Sequence, residues 1–347
     1  MRHIPLGRHD TISEIMLGTM TFGTQTPQAD AHTQIDMACD AGVTWLDTAE
    51  MYPVNPVRAE TLGLTEEIVG NWVANGGAGR IKLATKHSGD GSHARGGAPI
   101  TSESIPKAIE GSLKRLKSEA IDLYQFHWPN RGSFQFRKYW TYRPEGTRDA
   151  ILQNMADCVG ALEREVSRGT IKSFGLSNES TWGMDQWMML SSDEDGGDGP
   201  ARPVSIQNEY SVLFRLADTD MAEMMTYEDI TMLAFSPLAT GLITGKYQNG
   251  AVPEGSRKSL NENLGGRWSD RVEGTVAAYL DMAAEHGVDP VHMALAWLQT
   301  RPFNCSAILG ATTVPQLEHG LKAQDMVLSD ELVAAIDNLN KAHPLPY

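Results

Sequence analysis

Short apolar runs alternate with longer amphipathic segments from one end of this chain to the other. The apolar runs at residues 15–19, 43–47, 81–86, 121–127, 171–177, 204–208, 231–235 and 307–310 are the length of buried β-strands and predict eight of them. Between the runs the apolar spacing changes to three and four residues. Ile151, Leu152, Met155, Val159, Leu162 and Val166 mark one face of a helix, as do Val272, Val276, Tyr279, Leu280 and Ala283. Strands that alternate with helices pair in parallel. Eight such units predict closure into a single-domain (β/α)8 TIM barrel of the α/β class spanning residues 1–347, and residues 2–10, with Gly7 at a turn, predict a β-hairpin before the first barrel strand.

Four stretches are too long for the loops of a plain barrel. Residues 87–99 are rich in Gly, Ser and His, residues 129–146 carry five aromatic side chains among basic ones, and residues 241–268 hold Lys246, Arg257, Lys258 and Arg267. All three follow strands, so they are expected on the face where the strand C-termini open. The acidic stretch 191–200 lies between a helix and a strand and is expected on the opposite, functionally silent face.

Charge narrows the partners. A formal net charge of -15 argues against a nucleic-acid backbone or an anionic membrane. No run approaches the roughly 20 apolar residues of a membrane span. The N-terminus has no apolar leader, and three widely spaced cysteines form no disulfide framework. A cytoplasmic protein with a small-molecule substrate is the expectation; the oligomeric state stays open. Gly77-Ala78-Gly79 lacks the third glycine of a dinucleotide fingerprint and precedes a strand instead of following one. His87, His93, His286 and His292 lack metal-ligand spacing, so no metal site is expected.

The candidate chemistry sits at the strand ends. Asp47, Lys86 and His127 each close a strand, and Tyr52 follows shortly after Asp47. In a parallel barrel these four converge on one face. A phenol can protonate a carbonyl oxygen but is a weak acid at neutral pH. A neighbouring ammonium is expected to lower its pKa, a carboxylate to hold that ammonium, and an imidazole to orient the substrate oxygen. A strand-end histidine taken alone is usually a satisfied structural one.

Residues 41–52, Ala-Gly-Val-Thr-Trp-Leu-Asp-Thr-Ala-Glu-Met-Tyr, together with Ala84-Thr85-Lys86 and Leu123-Tyr124-Gln125-Phe126-His127-Trp128-Pro129, resemble the signatures of the aldo-keto reductases. Gly175-Leu176-Ser177-Asn178, Gln207-Asn208-Glu209-Tyr210, Phe235-Ser236-Pro237-Leu238, Thr244-Gly245-Lys246-Tyr247 and Leu309-Gly310-Ala311-Thr312 follow in the same order. Met51-Tyr52-Pro53-Val54 and the run 60–66 are most similar to its Tas-like bacterial branch, with the potassium-channel β subunits as more distant relatives.

The resemblance implies a barrel that binds NADPH or NADP+ without a Rossmann domain and reduces an aldehyde or ketone, with Tyr52 as general acid and His127 and Trp128 beside the substrate. It implies that Ser177, Asn178 and Gln207 hold the nicotinamide carboxamide and that Tyr210 stacks on the ring. Ser236, Leu238 and Gly241 would place backbone N–H groups near the pyrophosphate with Lys246 adding charge, and Phe235 and Pro237 would also bind the cofactor. Arg257, Gly310, Thr312 and Gln316 would hold the adenosine phosphate, and Thr19, Met20 and Gln25 the near wall. Where relatives carry an acidic residue and an asparagine against adenine, this chain has His319 and Gly320. The alternative reading is a nucleotide-sensing regulatory subunit with weak turnover, like the channel β subunits.

Overall fold

The computed structural model describes residues 1–193 and 197–347. Its strands are β1 (His3–Leu6), β2 (Asp10–Ser13), β3 (Ile15–Gly18), β4 (Trp45–Asp47), β5 (Lys82–His87), β6 (Ile121–Phe126), β7 (Ile171–Ser177), β8 (Pro203–Gln207), β9 (Thr231–Ala234) and β10 (Cys305–Gly310). The helices are α1 (Gln28–Asp40), α2 (Leu64–Trp72), α3 (Ser104–Leu116), α4 (Arg148–Ser167), α5 (Thr181–Leu190), α6 (Asp220–Tyr227), α7 (Arg257–Leu260), α8 (Asp270–Glu285), α9 (Pro290–Trp297), α10 (Val314–Leu321) and α11 (Asp330–Ala342).

Strands β3 to β10 pair in parallel in sequence order, and β10 closes on β3 to complete a TIM barrel. All eight strands read from the apolar runs form, with ends shifted by at most a few residues. The N-terminal hairpin also forms, as the antiparallel pair β1–β2. It plugs the N-terminal end of the barrel: Leu6 and Ile12 pack with Met16, Trp45, Ala84, Leu123, Leu233 and Ile308, and the Trp45 indole N–H donates to the Thr11 carbonyl at 2.9 Å.

Alternation along the strands sorts side chains into two layers. Trp45, Ala84, Leu123 and Leu233 point inward, whereas Leu46, Leu83, Tyr124 and Met232 join the larger core between strands and helices. Two residues beyond the inward apolar layer, the same alternation turns Asp47, Lys86, Gln125 and Phe235 inward at the C-terminal mouth. The loops 87–99, 129–146 and 241–268 follow β5, β6 and β9 and so rise from that mouth. In the acidic stretch 191–200, Asp198 pairs with Arg8 in the turn of the hairpin, at the opposite end; residues 194–196 of that stretch lie outside the described residues.

Candidate active site at the barrel mouth

Lys86 is fully buried at the end of β5, where an unpaired ammonium would be costly. Its Nζ donates to Asp47 Oδ2 at 2.7 Å and to the Thr48 carbonyl at 2.7 Å, and lies 3.5 Å from the Tyr52 hydroxyl. The same ammonium sits over the Tyr52 ring, 4.8 Å from its centroid. The His127 ring meets the Tyr52 ring edge-on with centroids 5.7 Å apart. The four residues expected to converge are therefore one cluster.

Asp47 is held from both sides. Its second oxygen, Oδ1, accepts from the Gln207 amide at 2.8 Å and from Gln125 at 3.4 Å, and Gln207 also donates to Gln125 Oε1 at 3.2 Å. Gln125 had no place among the candidate residues. Its signal was in the sequence: it stands two positions beyond inward-facing Leu123, as Lys86 does beyond Ala84.

Electrostatics corrects one expectation. Burial pushes the Tyr52 phenol above its ordinary pKa, and the lowering by Lys86 does not cancel that effect. Burial would lower the Lys86 ammonium, but Asp47 and Tyr52 raise it overall, so it stays charged. Burial, assisted by the Lys86 charge, drives His127 well below its ordinary pKa, leaving a neutral imidazole. The cluster presents a protonated phenol, a fixed ammonium and a neutral ring to the mouth of the barrel.

The neighbouring strand ends bear polar groups with spare capacity. Asn178, in a left-handed conformation with φ 53°, donates to the His127 carbonyl at 2.8 Å and to Ser177 Oγ at 3.1 Å. Ser177 Oγ in turn donates to the Gln207 carbonyl at 2.7 Å. Asn178 Oδ1 and His127 Nδ1 are buried without a protein partner. Such groups are costly unless something satisfies them. Thr19 donates to the Asp47 carbonyl at 2.8 Å, fixing the near wall.

Tyr210 does not face the mouth, contrary to expectation. Its ring is fully buried against Trp297 and Phe303, with centroids at 5.3 and 5.7 Å, and its hydroxyl donates to Asp218. The chain turns outward after β8, so Tyr210 joins the layer between barrel and helices. The aromatic ring that packs against the inward layer at this end is half-buried Phe235.

After Phe235 the backbone is strained. Ser236, Ala239, Thr240 and Gly241 all have positive φ, a conformation that costs free energy for residues with a Cβ and clusters at ligand-holding loops. Pro237 and Leu238 lie within this turn. The Lys246 side chain crosses Gly241 so closely that a Cβ there would stand 2.8 Å from its Cε. Burial and nearby Arg257 lower the Lys246 pKa. Arg257 itself is pushed down to about 10 by burial and by Arg267, and remains a cation at neutral pH.

Arg257 makes no hydrogen bond to Thr312 or Gln316 among the described residues. Its guanidinium contacts Met20 Sδ at 3.4 Å. Gln25 donates to the Gly255 carbonyl at 3.2 Å, so the loop already lies against the first strand's loop. Thr312, just past Gly310, has both its backbone N–H and its hydroxyl on Gln316 Oε1, at 3.1 and 2.9 Å, at the start of α10.

The aromatic loop walls the other side. Trp128 is tilted on His127 at 5.0 Å, Phe136 meets Trp128 edge-on at 5.9 Å, and the Trp128 indole N–H donates to the Asp90 carbonyl at 2.9 Å. Fully buried Glu209 ties the loops together. It accepts from Arg267 at 2.6 and 2.8 Å, from Arg137 at 2.5 Å and from the Tyr347 hydroxyl at 3.2 Å.

The aldo/keto reductase family model matches residues 14–341. This chain belongs to the aldo/keto reductase family. Among its relatives it is 39% identical over 343 residues to "Protein tas" of Escherichia coli (strain K12), covering 96% of each chain. It is 30% identical over 354 residues to "Uncharacterized oxidoreductase YrpG" of Bacillus subtilis (strain 168), covering 98% of this chain and 96% of that one. It is 27% identical over 329 residues to "Probable voltage-gated potassium channel subunit beta" of Arabidopsis thaliana, covering 91% and 88%. Among the described residues, no helix is long and apolar enough to cross a membrane.

Proposed function

We propose that this oxidoreductase reduces an aldehyde or ketone to an alcohol with NADPH, and that Tyr52 is the general acid. The observation that carries the reading is the Tyr52 hydroxyl 3.5 Å from a buried Lys86 ammonium that is itself locked on Asp47. When bound, the reduced nicotinamide supplies the hydride. The phenol, protonated because of its burial, gives its proton to the carbonyl oxygen. Lys86 stabilises the phenolate left behind, and Asp47 keeps the ammonium charged and in place. Neutral His127 orients the carbonyl oxygen by a hydrogen bond. Trp128 and Phe136 favour a substrate with an apolar group beside the carbonyl.

Features of the mouth fit the cofactor. The buried, unpartnered Asn178 Oδ1 suits the carboxamide, together with Ser177 and Gln207. Phe235, instead of Tyr210, offers the ring face for the nicotinamide. Ser236, Leu238 and Gly241 lie in a strained turn crossed by Lys246, which suits the pyrophosphate. Arg257 is a guanidinium without a carboxylate partner among the described residues, which suits a phosphate. Gly310, Thr312 and Gln316 remain candidates for the adenosine end, with Arg257.

A panel of aldehydes and ketones, each assayed with NADPH and with NADH, tests this reading. Turnover faster with NADPH supports it. Tight NADPH binding with no turnover of any carbonyl favours instead a nucleotide-sensing subunit, the reading suggested by the channel-subunit relatives.

A further inference from the structure

The geometry points to a binding site for a divalent transition-metal ion such as Zn2+ on Asp289, His292 and His319, between α9 and α10. One donor atom from each of the three side chains lies within 4.8 Å of the others. Sequence spacing does not reveal the group, because Asp289 and His292 open one helix and His319 comes from the next.

The carboxylate is pre-oriented. Asp289 caps α9, and its Oδ1 accepts from the backbone N–H groups of Val291 at 2.8 Å and His292 at 3.1 Å. That leaves Oδ2 for another partner, and it stands 3.2 Å from His319 Nε2. In a tetrahedral site with metal–ligand bonds of about 2.0–2.1 Å, neighbouring ligand atoms are about 3.3 Å apart. The Asp289–His319 separation is already that of one tetrahedron edge.

The second imidazole is close at hand. The His292 and His319 rings stack with centroids 4.8 Å apart and 29° between planes, and His292 Nε2 lies 2.8 Å from the His319 carbonyl oxygen. A side-chain rotation of His292 or of exposed His319 draws the third donor in. His319 has 48% of its side chain exposed, so water can complete the fourth position. Two imidazoles and one carboxylate suit zinc, cobalt, nickel or copper better than magnesium or calcium. Both donor elements are helices packed in the outer layer, which holds ligands more firmly than loops do. The site makes no contact with Asp47, Tyr52, Lys86 or His127 among the described residues, and does not depend on the reaction proposed for them.

The test is calorimetric titration of untagged, chelator-treated protein with ZnCl2. One saturable site is expected, weakened at least roughly tenfold in His319→Gln and in His292→Gln. Equal melting temperatures of the three proteins without metal would show that the variants fold, and a given Zn2+ concentration should then raise the melting temperature of the wild type more than that of either histidine variant. Cys39→Ser, which removes a partly exposed thiol, should bind as the wild type does. Absence of saturable binding, retention of full affinity in His319→Gln, or loss of it in Cys39→Ser would overturn the assignment.

Discussion

Gln207 and Asp47 are joined across the barrel mouth by a 2.8 Å hydrogen bond from the Gln207 amide to Asp47 Oδ1, while Lys86 holds the other carboxylate oxygen at 2.7 Å. The Asp47–Lys86 pair is almost completely buried. Removing one member of such a pair leaves the other charge uncompensated. Asp47→Asn should therefore destabilise the protein by about 3 kcal/mol or more. Urea denaturation measures this, and a loss below about 1 kcal/mol would show that the pair is not held as the geometry implies.

The protonation states set the pH profile. Tyr52 is pushed above its ordinary pKa and His127 well below its own, the first chiefly by burial and the second by burial and Lys86. A phenol acts as an acid below its pKa, and an imidazole is neutral above its pKa. Carbonyl reduction should thus hold a constant kcat from about pH 6.5 to about pH 10. Alcohol oxidation, which needs the phenolate, should rise with pH through the same range. A kcat for reduction that falls with a midpoint near neutrality would contradict these assignments.

Arg257 should set the choice between NADPH and NADH. The two differ by one phosphate, and a charged hydrogen bond to it is worth about 1.5–3 kcal/mol, or roughly 10–150-fold. Arg257→Ala should weaken NADPH by that factor and leave NADH nearly unchanged in a fluorescence titration. Equal weakening of both would place Arg257 on a part the two share, such as the pyrophosphate.

The loop 241–268 should close over the cofactor. Its C-terminal end is pinned, since Arg267 is locked on Glu209 and Arg137 Nε donates to the Gly265 carbonyl at 2.8 Å. Its middle holds Arg257 against Met20 and contains Gly250 and Gly255, both at positive φ. Hydrogen exchange with and without NADPH should show new protection around residues 245–260 and little change at 264–268. Identical protection in both states would mean a static loop.

Much of this architecture was legible in the sequence because parallel strands are buried on both faces and read as apolar runs. Strand-end placement then gathered Asp47, Tyr52, Lys86 and His127. What stayed hidden depends on direction and environment. Tyr210 lies beyond the end of β8, where alternation no longer says which way a side chain points. The Tyr52 pKa is a contest between burial and Lys86, and burial is not readable from residue types. Glu209 was visible as a residue, but its partners Arg137, Arg267 and Tyr347 come from three distant segments.

The central claim is that Tyr52 supplies the proton, and Tyr52→Phe tests it most directly. The variant keeps the ring under Lys86 and removes only the hydroxyl. With the best carbonyl substrate, kcat should fall by roughly 10²–10⁴-fold while the NADPH dissociation constant stays nearly the same. Turnover close to wild type in a variant that still binds NADPH would show that the proton comes from elsewhere.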